Sequence, residues 1–336
     1  MRNLAATYRP LKLDDVVGQE QAKAILLNHI ANKPKSSYLF CGGAGTGKTT
    51  CARIFARAVN LGSDFNTVEI NAADNTGVDG VRKIIVDAGK KPMGTPYKVF
   101  ILDECHMLST QAWNALLKLL EEPPDTVVFL LCTTDPQKIP ATIMSRVLRV
   151  DFRRIDIDLI VKRLSWILEQ EKLDPVDEKS LQYIAELANG GMRDAISLLD
   201  KVLGYNVEVT PELINTALGL LGADVSYQLL ERICQHDSVG IIKLIDEISV
   251  HNLDYKAWVL DFRRFVVKAM EISLGVTEYA FSLSDALIEK LRHVASSLEL
   301  IIIADCLNQL CTDLIFESDP CSRIKAELCR TAVGYN

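Results

Sequence analysis

No apolar run in these 336 residues approaches the roughly 18 consecutive positions that a membrane-spanning helix needs. The best candidate, Leu300 to Ala304, is closed off by Glu299 and Asp305. The opening residues Met1-Arg2-Asn3-Leu4-Ala5 also lack the apolar stretch of a secretory signal, so the expected location is the cytoplasm, with no membrane partner. Internal repeats and low-complexity linkers are missing too. The nine cysteines are an odd number and none forms a C-x-x-C pair, which argues for small buried thiols in a reducing compartment over a zinc site or a disulfide set. With 49% hydrophobic and 24% charged residues the composition is that of a folded globular chain, and its length predicts two or three domains.

A basic excess is also lacking, since 37 Lys and Arg stand against 44 Asp and Glu, a net charge of -7. The total hides an asymmetry. Residues 1–150 carry 18 basic against 14 acidic side chains, which leaves 19 against 30 in residues 151–336. Only the first part is suited to meeting phosphates, although solvated helix surfaces would leave the same counts.

What is present is an alternation. Apolar runs at Ser37 to Phe40, Thr67 to Ile70, Lys98 to Leu102, Val127 to Leu131 and Val147 to Phe152 are separated by helical stretches such as Thr49 to Ala58 and Ser109 to Glu122. Strands alternating with helices predict an α/β fold whose parallel sheet is covered on both faces. After Phe152 the spacing turns helical, as in Ile160, Leu164, Ile167 and Leu168. A turn at Gly204-Tyr205-Asn206 precedes Thr210-Pro211-Glu212, where Thr caps a helix and Pro takes its first position. The expected domains are an α/β domain over 1–152, a small helical domain over 153–208 and an all-helical domain over 209–336. Punctuation in the last falls near Gly222, Asp237-Ser238, Asn252, Gly275 and Asp319-Pro320.

The chemistry concentrates in the first domain. Gly42-Gly43-Ala44-Gly45-Thr46-Gly47-Lys48-Thr49 is a full G-x-x-x-x-G-K-[ST] between a strand and a helix. Its glycines let successive N–H groups turn inward around a phosphate, and the helix start adds partial positive charge. Lys48 is placed to reach the β- and γ-phosphates of ATP, and Thr49 to offer a hydroxyl to Mg²⁺. Lys98-Val99-Phe100-Ile101-Leu102-Asp103-Glu104 delivers two carboxylates at a strand end, Asp103 for the metal and Glu104 to polarise the attacking water. Thr133 and Thr134 end the next strand, so one hydroxyl can lie beside the γ-phosphate. His106 is left as structural, because a carboxylate is already nearer the water, and Trp113 reads as core with Leu116, Leu117 and Leu120.

These residues resemble the AAA+ ATPases, and within them the ATPase subunits of sliding-clamp loaders, bacterial gamma/tau and the replication factor C small subunits. The likeness rests on Tyr8-Arg9-Pro10, Asp15 to Glu20, Glu69 to Asp74 with Gly77-Val78-Asp79, Asp103 to His106, Asn114 to Lys118, Thr133 to Pro140, Ser145-Arg146 and Gly190 to Ala195. Pro320 to Arg330 looks like the closing helix of the family's collar, while 210–319 carries the likeness weakly. The resemblance implies a AAA+ domain, a helical lid and an oligomerising collar. It implies a nucleotide site formed by Tyr8, Arg9, Pro10, Val16 and Val17 around the base and by Gly43, Ala44, Gly45, Thr46, Gly47, Lys48, Thr49 and Thr50 around the phosphates. It makes Thr133 the first sensor, Arg193 the second, Arg146 an arginine finger for a neighbouring subunit, and Asn71 a restraint on Glu104. The implied partners are a sliding clamp, primer-template DNA and other subunits of a pentamer. Arg82, Lys83, Ser109 and Thr110 are the candidate contacts to the DNA backbone.

Two departures stand out. The four-cysteine zinc module of bacterial gamma/tau is missing where Ala58 to Asp64 runs on toward the next strand, and the family's Ser-Arg-Cys reads Ser145-Arg146-Val147. The first suits a compact or phage-encoded relative, in the latter case working in the host cytoplasm. The second leaves phosphate chemistry untouched. The chain is also expected to end with the collar, without the further domains of a tau form. A catalytically silent scaffold is disfavoured by the intact Lys48, Asp103 and Glu104. A protein-remodelling motor is disfavoured because no aromatic pore loop lies between the two ATP motifs.

Overall fold

Each apolar run supplies side chains to two faces, and in the computed structural model both faces are covered. The structure describes residues 3–74, 76–205, 207–249, 254–276, 283–314 and 317–334; Asn206 and Asn252, read above as turn positions, lie outside them. Among the described residues five strands, β1 (Ser37–Gly42), β2 (Thr67–Asn71), β3 (Lys98–Asp103), β4 (Val127–Thr133) and β5 (Leu148–Phe152), form one parallel sheet in the order β2-β3-β4-β1-β5.

A short helix α1 (Leu4–Thr7) opens the described chain, followed by α2 (Glu20–Ala31) and α3 (Lys48–Val59). Tyr38, Phe40, Ile101, Leu130 and Phe152 face these two helices and bury Leu26 and Phe55. Leu39, Phe100, Phe129 and Leu131 point to the other face, where α4 (Val78–Ala88) and α5 (Thr110–Glu121) add Ile84, Trp113 and Leu116. The period of two along each strand thus divides the side chains between two cores. Trp113 is core, as its spacing predicts.

The strands reach further than their apolar runs. Asn71 pairs with Asp103 and Cys41 with Thr133, so the ladder carries polar residues to the carboxyl edge of the sheet. Conversely β5 starts at Leu148, with Val147 left before it.

The chain continues through α6 (Ala141–Met144), α7 (Ile157–Glu171), α8 (Glu178–Leu187) and α9 (Met192–Leu203). Two compact units emerge. One comprises Met1–Lys172 and Ala185–Ser197, the other Leu173–Ile184 and Leu198–Asn336, so the divisions fall just after α7 and inside α8 and α9. The second unit holds α10 (Pro211–Leu218), α11 (Ala223–Cys234), α12 (Ser238–Ser249), α13 (Tyr255–Ser273), α14 (Asp285–Leu291), α15 (Ser297–Asp313) and α16 (Pro320–Val333). Trp258, Phe262, Leu300, Leu307, Ile324 and Leu328 lie in its core. Thr210 Oγ1 accepts the Leu213 N–H at 3.3 Å with Pro211 in the first turn, the cap expected from the sequence. Among the described residues no helix is long and apolar enough to cross a membrane.

Candidate nucleotide-binding site

β1 ends at Gly42 and α3 starts at Lys48, so the glycine-rich loop lies between a strand end and a helix start. Gly45 (φ +69°) and Gly47 (φ +103°) occupy left-handed backbone that other residues rarely adopt. The loop is also crowded from the far end of the unit. A Cβ on Gly45 would sit 3.0 Å from Gly191 Cα, and the Met192 N–H donates to the Gly45 carbonyl at 3.0 Å. Thr46 Oγ1 donates to the Gly43 carbonyl at 2.9 Å, and Gln19 ties the loop to β5 through the carbonyls of Thr46 (3.2 Å) and Arg153 (2.7 Å).

Lys48 is 6% exposed and gives its ammonium to the carbonyls of Gly42 (2.9 Å) and Gly43 (2.7 Å). Burial lowers its pKa, and the carboxylates of Glu104 and Asp103 oppose that shift. Thr49 Oγ1 donates to Asp103 Oδ2 at 2.8 Å, which joins the two expected metal-binding oxygens. A hydroxyl and a carboxylate at the phosphate loop suit magnesium, which takes oxygen ligands and completes its shell with water and phosphate. Among the described residues no group of three His, Cys, Asp or Glu side chains is gathered as a metal cluster, and all nine cysteines are free.

One pocket collects most of the expected residues: Tyr8, Arg9, Pro10, Val16 and Val17 from the N-terminal segment, Ala44 to Thr50 from the loop and α3, Asp103, Glu104 and Arg193. Gly43 is exposed beside the loop and does not line it. Arg9 has its pKa lowered by burial and by the positive charges of Arg53 and Arg193, with Glu69 and Asp103 acting against this. Its guanidinium thus feels the charges of both Arg193 and Asp103 across the pocket, whereas the resemblance implies a place beside the base.

Ala5, Ile155, Arg163, Met192, Asp194 and Ile196 complete the wall; Met192 and Asp194 belong to the Gly190 to Ala195 motif, but none of the six was expected at the nucleotide. Arg163 donates to the Tyr8 carbonyl at 3.1 Å and stacks 4.2 Å from the centre of the Trp166 ring. Tyr8 Oη donates to Glu171 at 2.6 Å, so α7 holds the N-terminal segment at two points. The Arg163-x-x-Trp166 spacing, which puts both on one helix face, is the signal that could have revealed this.

Thr133 does not line the pocket. It is fully buried at the end of β4, where its Oγ1 accepts the Asp135 N–H (3.0 Å) and lies 3.1 Å from His106 Nδ1. Thr134 Oγ1 donates to Glu104 Oε2 at 2.9 Å, and His106 Nδ1 is 3.4 Å from the same oxygen. Asn71 donates to Asp74 at 2.9 Å and accepts the Ala73 N–H at 3.0 Å. Arg146 is away from the pocket, paired with Glu121 at 2.7 Å and bonded to the Thr142 carbonyl at 2.6 Å. Arg82 pairs with Asp79 at 3.2 Å on the exposed face of α4, and Lys83 is exposed beside it. Ser109 caps α5 by accepting the Ala112 N–H (3.2 Å), its own N–H donates to the Thr76 carbonyl (3.0 Å), and Thr110 is exposed. The starts of α4 and α5 are thus adjacent.

Comparison with known proteins decides the family. Residues 60–156 match the family described as DNA polymerase III, delta subunit, and residues 159–206 match DNA polymerase III clamp loader subunit, ATPase lid domain. The chain is 44% identical over 241 residues to DNA polymerase III subunit tau of Bacillus subtilis (strain 168), over 66% of this chain and 42% of that protein. It is 33% identical over 285 residues to DNA polymerase III subunit gamma of Buchnera aphidicola subsp. Acyrthosiphon pisum, covering 78% of this chain and 79% of that one. The chain belongs to the DNA polymerase III gamma/tau family. It spans under half the length of relatives such as the tau subunits of B. subtilis and Escherichia coli (strain K12), at 42% and 43%. Thermotoga maritima RuvB, a Holliday junction branch migration motor, shares the fold with a TM-score of 0.52 and 20% identity over 67% of this chain and 79% of that one. The gamma/tau chain therefore has the AAA+ architecture that the resemblance implied, with the parallel sheet that its alternating strands and helices predicted.

Proposed function

We propose that this gamma/tau chain is an ATP-hydrolysing motor subunit of a sliding-clamp loader, which opens a ring-shaped clamp and sets it on primer-template DNA. The observation that carries the reading is the convergence of Lys48, the Thr49–Asp103 pair and Glu104 in one pocket with the glycine-rich loop. On this reading the base lies against Tyr8, Pro10, Val16 and Val17, and the phosphates lie in the loop. Thr49 and Asp103 would hold a magnesium ion, which supplies neutralisation of charge on the phosphate oxygens. Lys48 exchanges its contacts with two carbonyls for phosphate oxygens. Glu104 accepts the proton of the attacking water, and Thr133 and Arg193 meet the γ-phosphate from the sheet and the lid.

Arg146 serves the pocket of a neighbouring subunit, in keeping with its place outside its own. The adjacent starts of α4 and α5, with Arg82, Lys83, Ser109 and Thr110, suit a phosphate backbone. We further propose a lid over 153–208 and a collar over 209–336 that joins subunits, with the protein working in the cytoplasm. The test separates binding from turnover. Lys48→Ala is expected to abolish binding of a fluorescent ATP analogue, whereas Glu104→Gln binds it and loses steady-state hydrolysis in the presence of primed DNA and clamp. Full hydrolysis by Glu104→Gln would remove Glu104 from this role.

A further inference from the structure

Glu104 has an unusual backbone. Its φ of 47° and ψ of 43° lie in the left-handed region, which for a residue with a Cβ is uncommon and tends to occur at functional sites. The turn it starts, Cys105–Met107, is closed by the Met107 N–H donating to the Glu104 carbonyl at 2.9 Å. That turn brings His106 back over the end of β4. Its side chain is only 11% exposed, and Nδ1 lies between Thr133 Oγ1 at 3.1 Å and Glu104 Oε2 at 3.4 Å.

The surrounding groups decide which way the hydrogens run. The Glu104 carboxylate can only accept, so an Nδ1 without a proton would face it lone pair to lone pair. With the proton on Nδ1, the N–H donates to Thr133 Oγ1 and turns its positive end toward Glu104 Oε2, 3.4 Å away. Thr133 Oγ1 then accepts from the imidazole and from the Asp135 N–H, and its own hydrogen has no intramolecular demand on it. The hydroxyl proton is the capacity left for a phosphate oxygen, which has to reach Thr133 behind the pocket wall, since its side chain is fully buried. Thr134 holds Glu104 Oε2 from the opposite side at 2.9 Å.

We infer that His106 is a positioning residue of the hydrolytic site, whose Nδ1–H donates to the Thr133 hydroxyl and, by its charge contact with Glu104, sets the aim of both. The inference rests on the reading of Glu104 as the water-activating base and of Thr133 as the sensor of the γ-phosphate. A histidine that merely fills space would be replaceable by a ring of similar size. One that presents a donor at Nδ1 is replaceable only by a side chain with a donor at that atom. Asparagine has its amide nitrogen there and glutamine has it one bond further out.

The test is steady-state ATP hydrolysis by the assembled complex, with kcat and KM separated, for His106→Asn, His106→Gln and His106→Phe. Expected is a kcat reduced by roughly ten- to a hundred-fold in His106→Phe and His106→Gln, substantial recovery in His106→Asn, and a KM for ATP that stays within about two-fold throughout. Normal turnover in His106→Phe would overturn the proposal, and so would equal losses in the Asn and Gln variants. Should His106→Phe fail to fold, as judged by circular dichroism, the Asn–Gln comparison decides alone. Glu104→Gln keeps the two ideas apart. If it retains turnover, the reading of the base fails; if it is inactive while His106→Phe is unaffected, only the role of His106 fails.

Discussion

Gly191 shows how little room a single residue has at the meeting of loop and lid helix. A Cβ there would lie 2.7 Å from Asp194 Oδ2 and 3.1 Å from the Ala44 carbonyl oxygen. The carboxylate can rotate away, but the carbonyl belongs to the phosphate loop and can yield only by moving it. Gly191→Ala is therefore expected to loosen the contact between Met192 and Gly45 and weaken nucleotide affinity about tenfold, an overpacking cost of about 1.4 kcal/mol. Titration with a fluorescent ATP analogue measures this, and an unchanged Kd would mean that the lid start moves freely from the loop. Arg9 makes a related point. Its place beside Tyr8 and Pro10 suggests the base, whereas its electrostatic neighbours are Arg53, Arg193, Glu69 and Asp103.

At the scale of elements, helix ends are where chemistry and stability meet. Ser296 caps α15 by accepting the Glu299 N–H at 3.3 Å, and the Glu299 carboxylate accepts the Ser296 N–H at 2.7 Å in return. Ser296→Ala should cost about 1 kcal/mol, read as a lower urea midpoint of the second unit's transition. Ser296 Oγ also donates to the Glu299 carboxylate at 2.6 Å, and this bond, together with that from the Ser296 N–H, holds the Glu299 pKa below its usual value. A carboxylate with a depressed folded pKa contributes stability above its unfolded pKa and loses it as pH falls. The difference between wild type and Ser296→Ala should thus shrink once pH drops below the ordinary glutamate range, leaving the part due to the Glu299 N–H; an undiminished gap there would remove the Glu299 carboxylate from the cap.

The Thr210 cap was legible, as were the strands, because Pro after Thr and short apolar runs between helical stretches are local signals, whereas the Ser296–Glu299 cap was not singled out. The glycine-rich loop and the acidic pair were legible for the same reason. Arg163, and the place of Met192 and Asp194 in the pocket wall, were not, since these depend on how α7 and α9 fold back. His106 carried no partner at any revealing spacing, and only the turn after Glu104 brings it to Thr133.

The whole molecule adds what no single site provides. Arg146 lies outside its own pocket, held by Glu121 and the Thr142 carbonyl. In a complex mixing Arg146→Ala with Lys48→Ala subunits, hydrolysis should depend on which subunit stands beside which, because one variant cannot bind ATP and the other cannot complete its neighbour's site. An arginine finger is worth about 10³-fold or more in rate, so orders of magnitude should separate the arrangements, and indifference to arrangement would rule out action between subunits. The wall of the pocket also has a history in time. Lys48 and Arg193 are separated by roughly 145 residues of chain, and synthesis at about 5–20 residues per second leaves roughly 7–30 s between their appearances. Throughout that interval the nascent chain has its phosphate loop without the residues that close over it. Nucleotide therefore cannot act as a full template for the early sheet, and the apolar strands must hold their register unaided until the last wall arrives.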